Sequence, residues 1–366
     1  PSAPSLSSPG NGSTIVSSPA TLTFSHNGNF GTSCVGGSNR LKVYAGVGSP
    51  SSVVCDLPPG STSCQTNVSN GQNYQWKVQA TNGALTADSG TSAFSVLFNS
   101  GGWFQVQDSD VTSPGDLISK IPLTCTGSCV PQFGLSGGGG YPGVPAYGGS
   151  NADFGGGSVS LKEWLANTKY SGRRYDYAWF ARLAPTGVFT NEESVITDSQ
   201  ISGGDLVSGF QSGGYFWRYK NGDLTINSTA NLGDRKVILF VNGNLTIQGK
   251  INLDDGKGFF AAIAAGNINI DPGVSQPNNP ALEGMFMANG TISTGTKSPN
   301  PDDRLYIRGA LVGWGGINLQ RDLDPNKTSG ANNLNAAEYV EYAPDLILTF
   351  PRELLREGIV WKEVAP

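Results

Sequence analysis

Thr21-Leu22-Thr23-Phe24 and Leu41-Lys42-Val43-Tyr44 alternate between polar and apolar positions, and residues 74–80 alternate for seven residues, with Tyr74, Trp76, Val78 and Ala80 on one side. A period of two is the signature of a strand with one face in a core, because successive side chains point to opposite faces of a sheet. Asn82-Gly83 supplies a turn, and residues 91–96, with Phe94 and Val96 in phase, close the segment. Short strands at a spacing of about ten residues predict a β-sandwich over residues 1–98.

Residues 99–200 read as a transition. Residues 101–106, which contain Trp103, look like a strand, whereas the glycine runs at 137–140 and 155–157 are loops. The four-glycine run is no phosphate loop, since neither a lysine nor a helix follows it directly. Ser160 and Glu163 have the spacing of a capping box opening a short helix through Trp164, Leu165 and Ala166. A second helical piece is expected to hold Tyr175, Tyr177, Trp179, Phe180 and Leu183 before Pro185.

From about residue 200 the pattern repeats. Gly222-Asp223-Leu224-Thr225-Ile226 recurs as Gly243-Asn244-Leu245-Thr246-Ile247 and Gly266-Asn267-Ile268-Asn269-Ile270. It weakens to Gly290-Thr291-Ile292-Ser293-Thr294 and ends as Gly315-Gly316-Ile317-Asn318-Leu319. The glycines lie 21, 23, 24 and 25 residues apart, and apolar runs at 237–241, 259–265, 285–287 and 310–312 precede most copies. Two or three strands per period of about 22 residues is what a parallel β-coil requires. One turn cannot bury its apolar face alone; stacked turns can, with Leu and Ile inside and Thr, Asn and Ser outside. Leucine-rich repeats share the period, but their extra leucines are missing, and an antiparallel meander has no need of the same pentapeptide. The predicted fold is therefore all-β: a sandwich followed, over residues 201–366, by a right-handed parallel β-helix with short capping helices. Leu224, Leu245, Ile268 and Ile292 are expected in one interior column. The aromatic segment 175–183 is expected to cover one end of the stack and the tail from Tyr342 to Trp361 the other.

Composition narrows the class. With 51 glycines and 22 prolines in 366 residues, 14% charged and 37% apolar, the chain is too apolar for a solvated disordered polymer and too poor in Lys, Glu and Leu for a helical bundle. A net charge of −5 with no basic run argues against nucleic acid. No apolar stretch approaches the ~20 residues that span a bilayer. No signal peptide is visible at Pro1, which fits a processed or truncated start, so export is inferred indirectly. All five cysteines fall in the first 129 residues. Cys55 and Cys64 flank the turn Pro58-Pro59-Gly60, and Cys125 and Cys129 bound a tight loop, so both pairs suit local disulfides in an oxidising compartment. Cys34 is left over, to stay free, exchange into the first pair or bridge to another chain. The single histidine, His26, has no Cys-x-x-Cys near it, which argues against zinc.

Two resemblances follow from these residues. The Tyr74-x-Trp76-x-Val78-x-Ala80 strand, its turn and the Ser92-x-Phe94-x-Val96 strand resemble the fibronectin type III family, with Phe24 where that family carries a tryptophan. The resemblance implies a spacer or binding module without catalytic residues. The run Gly309-Ala310-Leu311-Val312-Gly313, the Tyr342-Ala343-Pro344 segment and the closing Trp361-Lys362-Glu363 resemble the C-terminal β-helix of PilX-type pilus accessory proteins, and more closely surface proteins of candidate-phyla bacteria. That resemblance spans residues 200–366, implies an extracellular location and transfers no catalytic residue.

Parallel β-helices often cleave polysaccharide, so acids matter. Asp254/Asp255, Asp302/Asp303 and Asp322/Asp324 are the carboxylate pairs on offer, each in a loop where acids commonly fix or solvate a turn. His26 lies in the wrong domain for a triad. Asp108/Asp110 and Asp254/Asp255 offer oxygen at short spacing to Ca²⁺ but match no calcium-loop pattern, so no cofactor is expected. Trp103, Tyr215, Trp217 and Trp314 are candidates for stacking on sugar rings if exposed, Trp217 reading equally as core. The expected function is a non-catalytic extracellular surface or pilus-associated structural or adhesion protein, partnered by other surface subunits or cell-surface glycans. The alternative is a carbohydrate-binding or polysaccharide-cleaving β-helix.

Overall fold

The computed structural model describes residues 1–15, 19–32, 38–69, 72–83, 85–96, 101–122, 143–155, 165–326 and 330–355. Cys34, the Cys125 and Cys129 pair, the glycine run 137–140, the Ser160 and Glu163 capping box and the tail with Trp361 lie outside them. The protein is all-β, with two α-helices, Tyr177–Leu183 and Pro344–Leu348, among the described residues. The chain divides into two compact units, one of residues 1–100 with 326–334 and one of residues 101–325 with 335–366. The stretch expected as a separate transition therefore belongs mostly to the second unit.

In the first unit, Ser5–Ser8, Ala20–Ser25 and Ser63–Thr66 form one sheet. Ser13–Ile15, Ser92–Val96, Asn73–Asn82, Asn39–Val47 and Ser52–Leu57 form the other, with Leu85–Asp88 beside Asn73–Asn82. The alternation read from the sequence is the burial pattern: Leu22, Phe24, Leu41, Val43, Trp76, Val78, Ala80 and Phe94 make one core, and Tyr74 stacks on Phe94 at 5.6 Å. The Trp76 indole N–H donates to the Pro9 carbonyl (3.2 Å), so the largest core residue leaves no polar atom unsatisfied. Cys55 and Cys64 form a disulfide. Cys55 lies opposite Val43 and Cys64 opposite Leu22, so the bond staples the edge strand of one sheet to the edge strand of the other.

The second unit is built from parallel ladders. Gln200–Ile201, Leu224–Ile226, Leu245–Ile247, Ile268–Ile270, Thr291–Ser293 and Gly316–Asn318 pair in that order, all parallel. Leu224, Leu245, Ile268 and Ile292 share one register position and are buried. Thr225, Thr246, Asn269 and Ser293 stand on the other face. The second residue of the first three pentapeptides links neighbouring copies: Asp223 Oδ1 accepts the Asn244 N–H (2.7 Å), Asn244 Oδ1 the Asn267 N–H (2.9 Å) and Asn267 Oδ1 the Thr291 N–H (2.8 Å). This contact explains the Gly-Asn pair. A Cβ on Gly266 would sit 2.5 Å from Asn244 Oδ1, and one on Gly290 2.1 Å from Asn267 Oδ1.

The apolar runs form the longer sheet. Tyr215–Asn221, Lys236–Asn242, Phe259–Ala264, Leu282–Ala288, Leu305–Gly313 and Glu338–Glu341 pair in parallel, with short Gln211–Ser212 antiparallel at one edge. These runs do not alternate because both faces are covered, as in other parallel sheets. Val237, Leu239, Val241, Phe260, Ala262 and Ala264 join the core shared with the shorter sheet. Ile238, Phe240, Phe259, Ala261 and Ile263 face a second core with Val188, Leu346 and Leu354. Helix Tyr177–Leu183 packs there too, Tyr177 meeting Phe240 edge-on at 5.9 Å. The aromatic segment and the described part of the tail, through Leu355, thus lie on the face of the long sheet and not at the ends of the stack, because the outward side chains of that sheet are too apolar to meet water. At the start of the ladder the 3-10 turn Gly203–Val207 places Leu206, fully buried, in the core between the two sheets.

Phe104–Gln107, early in the chain, pairs in parallel with Glu338–Glu341 at the opposite edge. From there Val111–Ser113, Pro145–Tyr147 and Ala166–Asn167 form a further parallel ladder, and Leu117–Ile118 pairs with Ala152–Asp153. The N-terminal part of this unit therefore extends the ladder beyond its C-terminal strand.

Candidate functional site

Three charged residues of the second unit line up on strands that the pentapeptide repeat does not describe. Glu283, Arg308 and Glu341 occupy one register position on three neighbouring strands. The Arg308 guanidinium reaches Asp345 Oδ1 at 2.6 Å, Asp255 Oδ1 at 3.2 Å and Glu283 Oε1 at 3.7 Å. Glu283 is buried, and its other oxygen accepts the Leu253 N–H (2.7 Å). Burial raises the Glu283 carboxyl above the ordinary range against the pull of that N–H and of Arg308. Burial works against charge on Arg308 too, but its carboxylate partners outweigh it and hold the guanidinium more basic than usual. Asp345 Oδ2 accepts the Gly256 N–H (2.9 Å). The cluster therefore fastens helix Pro344–Leu348 and the 254–257 turn to the sheet.

Beside it, the Tyr306 hydroxyl donates to Glu341 and the Tyr339 hydroxyl to Gln107, the two rings meeting edge-on at 4.7 Å. Burial, with Glu341 nearby, raises both phenols, Tyr339 to about 12, so each remains a donor near neutral pH. A second polar knot lies inside. Glu338 is 2% exposed and accepts from the Arg321 N–H (2.8 Å) and the Thr294 hydroxyl (2.9 Å). Arg321, also 2% exposed, donates to the carbonyls of Thr294, Asp303 and Asp271. Burial pushes the Glu338 carboxyl up to about 7.

Asp110, Asp255, Asp302, Asp303 and Asp322, singled out in the sequence, have structural partners, Asp255 in the Arg308 cluster above. Asp302 is buried and accepts from the Lys297 and Asp322 N–H groups and the Thr296 hydroxyl. Asp303 pairs with Lys297, Asp322 caps the Asp324 N–H, and Asp110 accepts the Val144 N–H. Among the described residues, no group of three or more His, Cys, Asp or Glu is arranged to hold a metal ion. His26 lies within hydrogen-bond reach of Ser2 and accepts the Gly28 N–H, pinning a turn of the first unit.

The expected stacking aromatics are corrected by burial. Trp103, Tyr215 and Trp217 are 2%, 7% and 0% exposed, so none offers a ring face to a sugar. Trp103 packs with Val106, Leu117 and Ile121. The Tyr215 hydroxyl donates to the Thr349 carbonyl (2.6 Å), and Trp217 donates to the Ser212 carbonyl (3.0 Å) and stacks on Phe240. Trp314 alone of the four keeps partial exposure. Sequence reasoning missed Glu283, Arg308 and Glu338. The available signal was the charge itself, since Glu283 interrupts an otherwise apolar strand. No helix among the described residues is long and apolar enough to cross a membrane. No protein-family model, curated protein or solved structure matches the chain.

Proposed function

We propose that this is a non-catalytic structural or adhesion protein of an extracellular surface, pilus-associated or otherwise displayed. In this reading the first unit is a fibronectin type III-like spacer and the second a right-handed parallel β-helix. Its partners are other surface subunits or glycans, and it needs no cofactor. The observation that carries the reading is the state of its strand-borne carboxylates: Glu283 is held by Arg308 and a backbone N–H, Glu338 by Arg321 and Thr294, and Glu341 by Tyr306. A general acid or base needs a proton path to substrate, and each of these groups is engaged by the fold. The Cys55–Cys64 disulfide supports an oxidising compartment. Incubation of the whole chain with a polysaccharide panel, followed by reducing-end measurement, should detect no turnover, while a glycan array should detect binding. Turnover would overturn the reading.

A second reading, polysaccharide cleavage, draws on Glu283 and Glu341. They lie on strands two apart across Arg308, roughly 10 Å at the backbone, near the spacing at which inverting glycosidases hold their acids. Loss of any measured turnover in Glu283→Gln would favour it.

A further inference from the structure

Residues 169–182 carry four cations, Lys169, Arg173, Arg174 and Arg182, against one acid, Asp176, a local +3 in a chain whose net charge is −5. Three of these cations are laid on indole rings. The guanidiniums of Arg173 and Arg182 lie 4.7 Å and 5.0 Å from the Trp179 ring centre, and that of Arg174 lies 5.4 Å from Trp314. The two indoles belong to one assembly, because Trp314 Nε1 donates to the Tyr175 carbonyl (3.0 Å) and the Tyr175 ring meets Trp179 edge-on at 5.5 Å. Asp176 caps the helix through the Trp179 N–H (2.9 Å) and pairs with Arg174 at 3.8 Å, and Arg174 also donates to the Asn289 carbonyl (3.3 Å), so the net +3 stands on Lys169, Arg173 and Arg182.

We propose that this arginine–tryptophan patch binds an acidic polysaccharide, a uronate-bearing chain whose carboxylates meet Arg173, Arg174 and Arg182. An exposed guanidinium laid on an indole has part of its ordering entropy already spent, and its N–H donors have the fork geometry that matches a carboxylate. Tyr175 and Tyr170, 40% and 53% exposed, add ring area for the C–H face of a sugar. A nucleic acid, with a phosphate at every step, calls for a longer basic track than a single +3 patch. The proposal gives the adhesive reading a ligand and rests on it only for where such a polymer is met.

The test is fluorescence titration of the whole chain with polygalacturonate, neutral dextran and single-stranded DNA at two salt concentrations, with reducing ends followed in the same samples. Polygalacturonate should bind and weaken with salt, and dextran should not bind. R173A/R182A should lose about tenfold or more in affinity, R182K less, and R40A, an exposed arginine of the first unit, nothing. Circular dichroism checks that each variant is folded. Unchanged affinity in folded R173A/R182A, an equal loss in R40A, binding of dextran, or tighter binding of DNA would each overturn the proposal. New reducing ends would instead overturn the non-catalytic reading and leave the binding site standing.

Discussion

Glu338→Gln tests the buried knot at the C-terminal side of the ladder. Glu338 is held at about 7 by burial, from an ordinary value of 4.5. Between those values the folded chain keeps a proton that the unfolded chain has released. This group's stabilisation is thus complete below about pH 4.5, falls as pH rises, and is gone above about pH 7. At ~1.4 kcal/mol per tenfold, the shift is worth about 3 kcal/mol. Glutamine keeps the oxygen that accepts from the Arg321 N–H and the Thr294 hydroxyl but does not titrate. The wild-type stability should therefore fall relative to the variant by about 3 kcal/mol between pH 4.5 and pH 8. A chain of two compact units need not unfold in one step. The assay is accordingly local: hydrogen exchange of peptides covering Leu305–Gly313 and Glu338–Glu341, corrected for the intrinsic rate at each pH. A wild-type-minus-variant difference that stays flat with pH, or that moves in favour of the wild type as pH rises, would refute the reasoning.

Other perturbations test separate parts of the fold. Leu245→Ala, at a fully buried position of the interior column, should cost about 3–4 kcal/mol in urea unfolding of the second unit; a loss below ~1 kcal/mol would mean the column is not tightly packed. Gly309→Ala should abolish soluble expression or cost more than ~1 kcal/mol, because φ is +143° and the new Cβ would fall 1.8 Å from the Gly284 carbonyl oxygen; an unchanged melting temperature would contradict that close approach. Cys55→Ala with Cys64→Ala opens a link across nine residues and should destabilise the first unit by about 2 kcal/mol, read as a lower melting temperature that reductant no longer shifts.

The sequence by itself determined whatever depends on local periodicity. Alternation at 74–80 marked the buried face with Trp76, Val78 and Ala80, and the pentapeptide aligned Leu224, Leu245, Ile268 and Ile292 in one column. Both succeed because the period of the side chains is the period of the element. The nine-residue separation and intervening turn made Cys55 and Cys64 readable as a local pair. Only the tertiary structure decided which apolar positions meet a second core. Val237 and Ile238 read alike, yet one faces inward and the other lies under the helical segments. The same limit hid the burial of Trp103 and Trp217 and the role of Arg308, whose partners Asp255, Glu283 and Asp345 come from three separate stretches of chain. It also hid the pairing of Phe104–Gln107 with Glu338–Glu341, more than two hundred residues later. A ladder edge accepts any strand whose backbone N–H and C=O groups reach it, and backbone hydrogen bonds carry no side-chain code; which strand arrives is fixed by the packing of the whole unit.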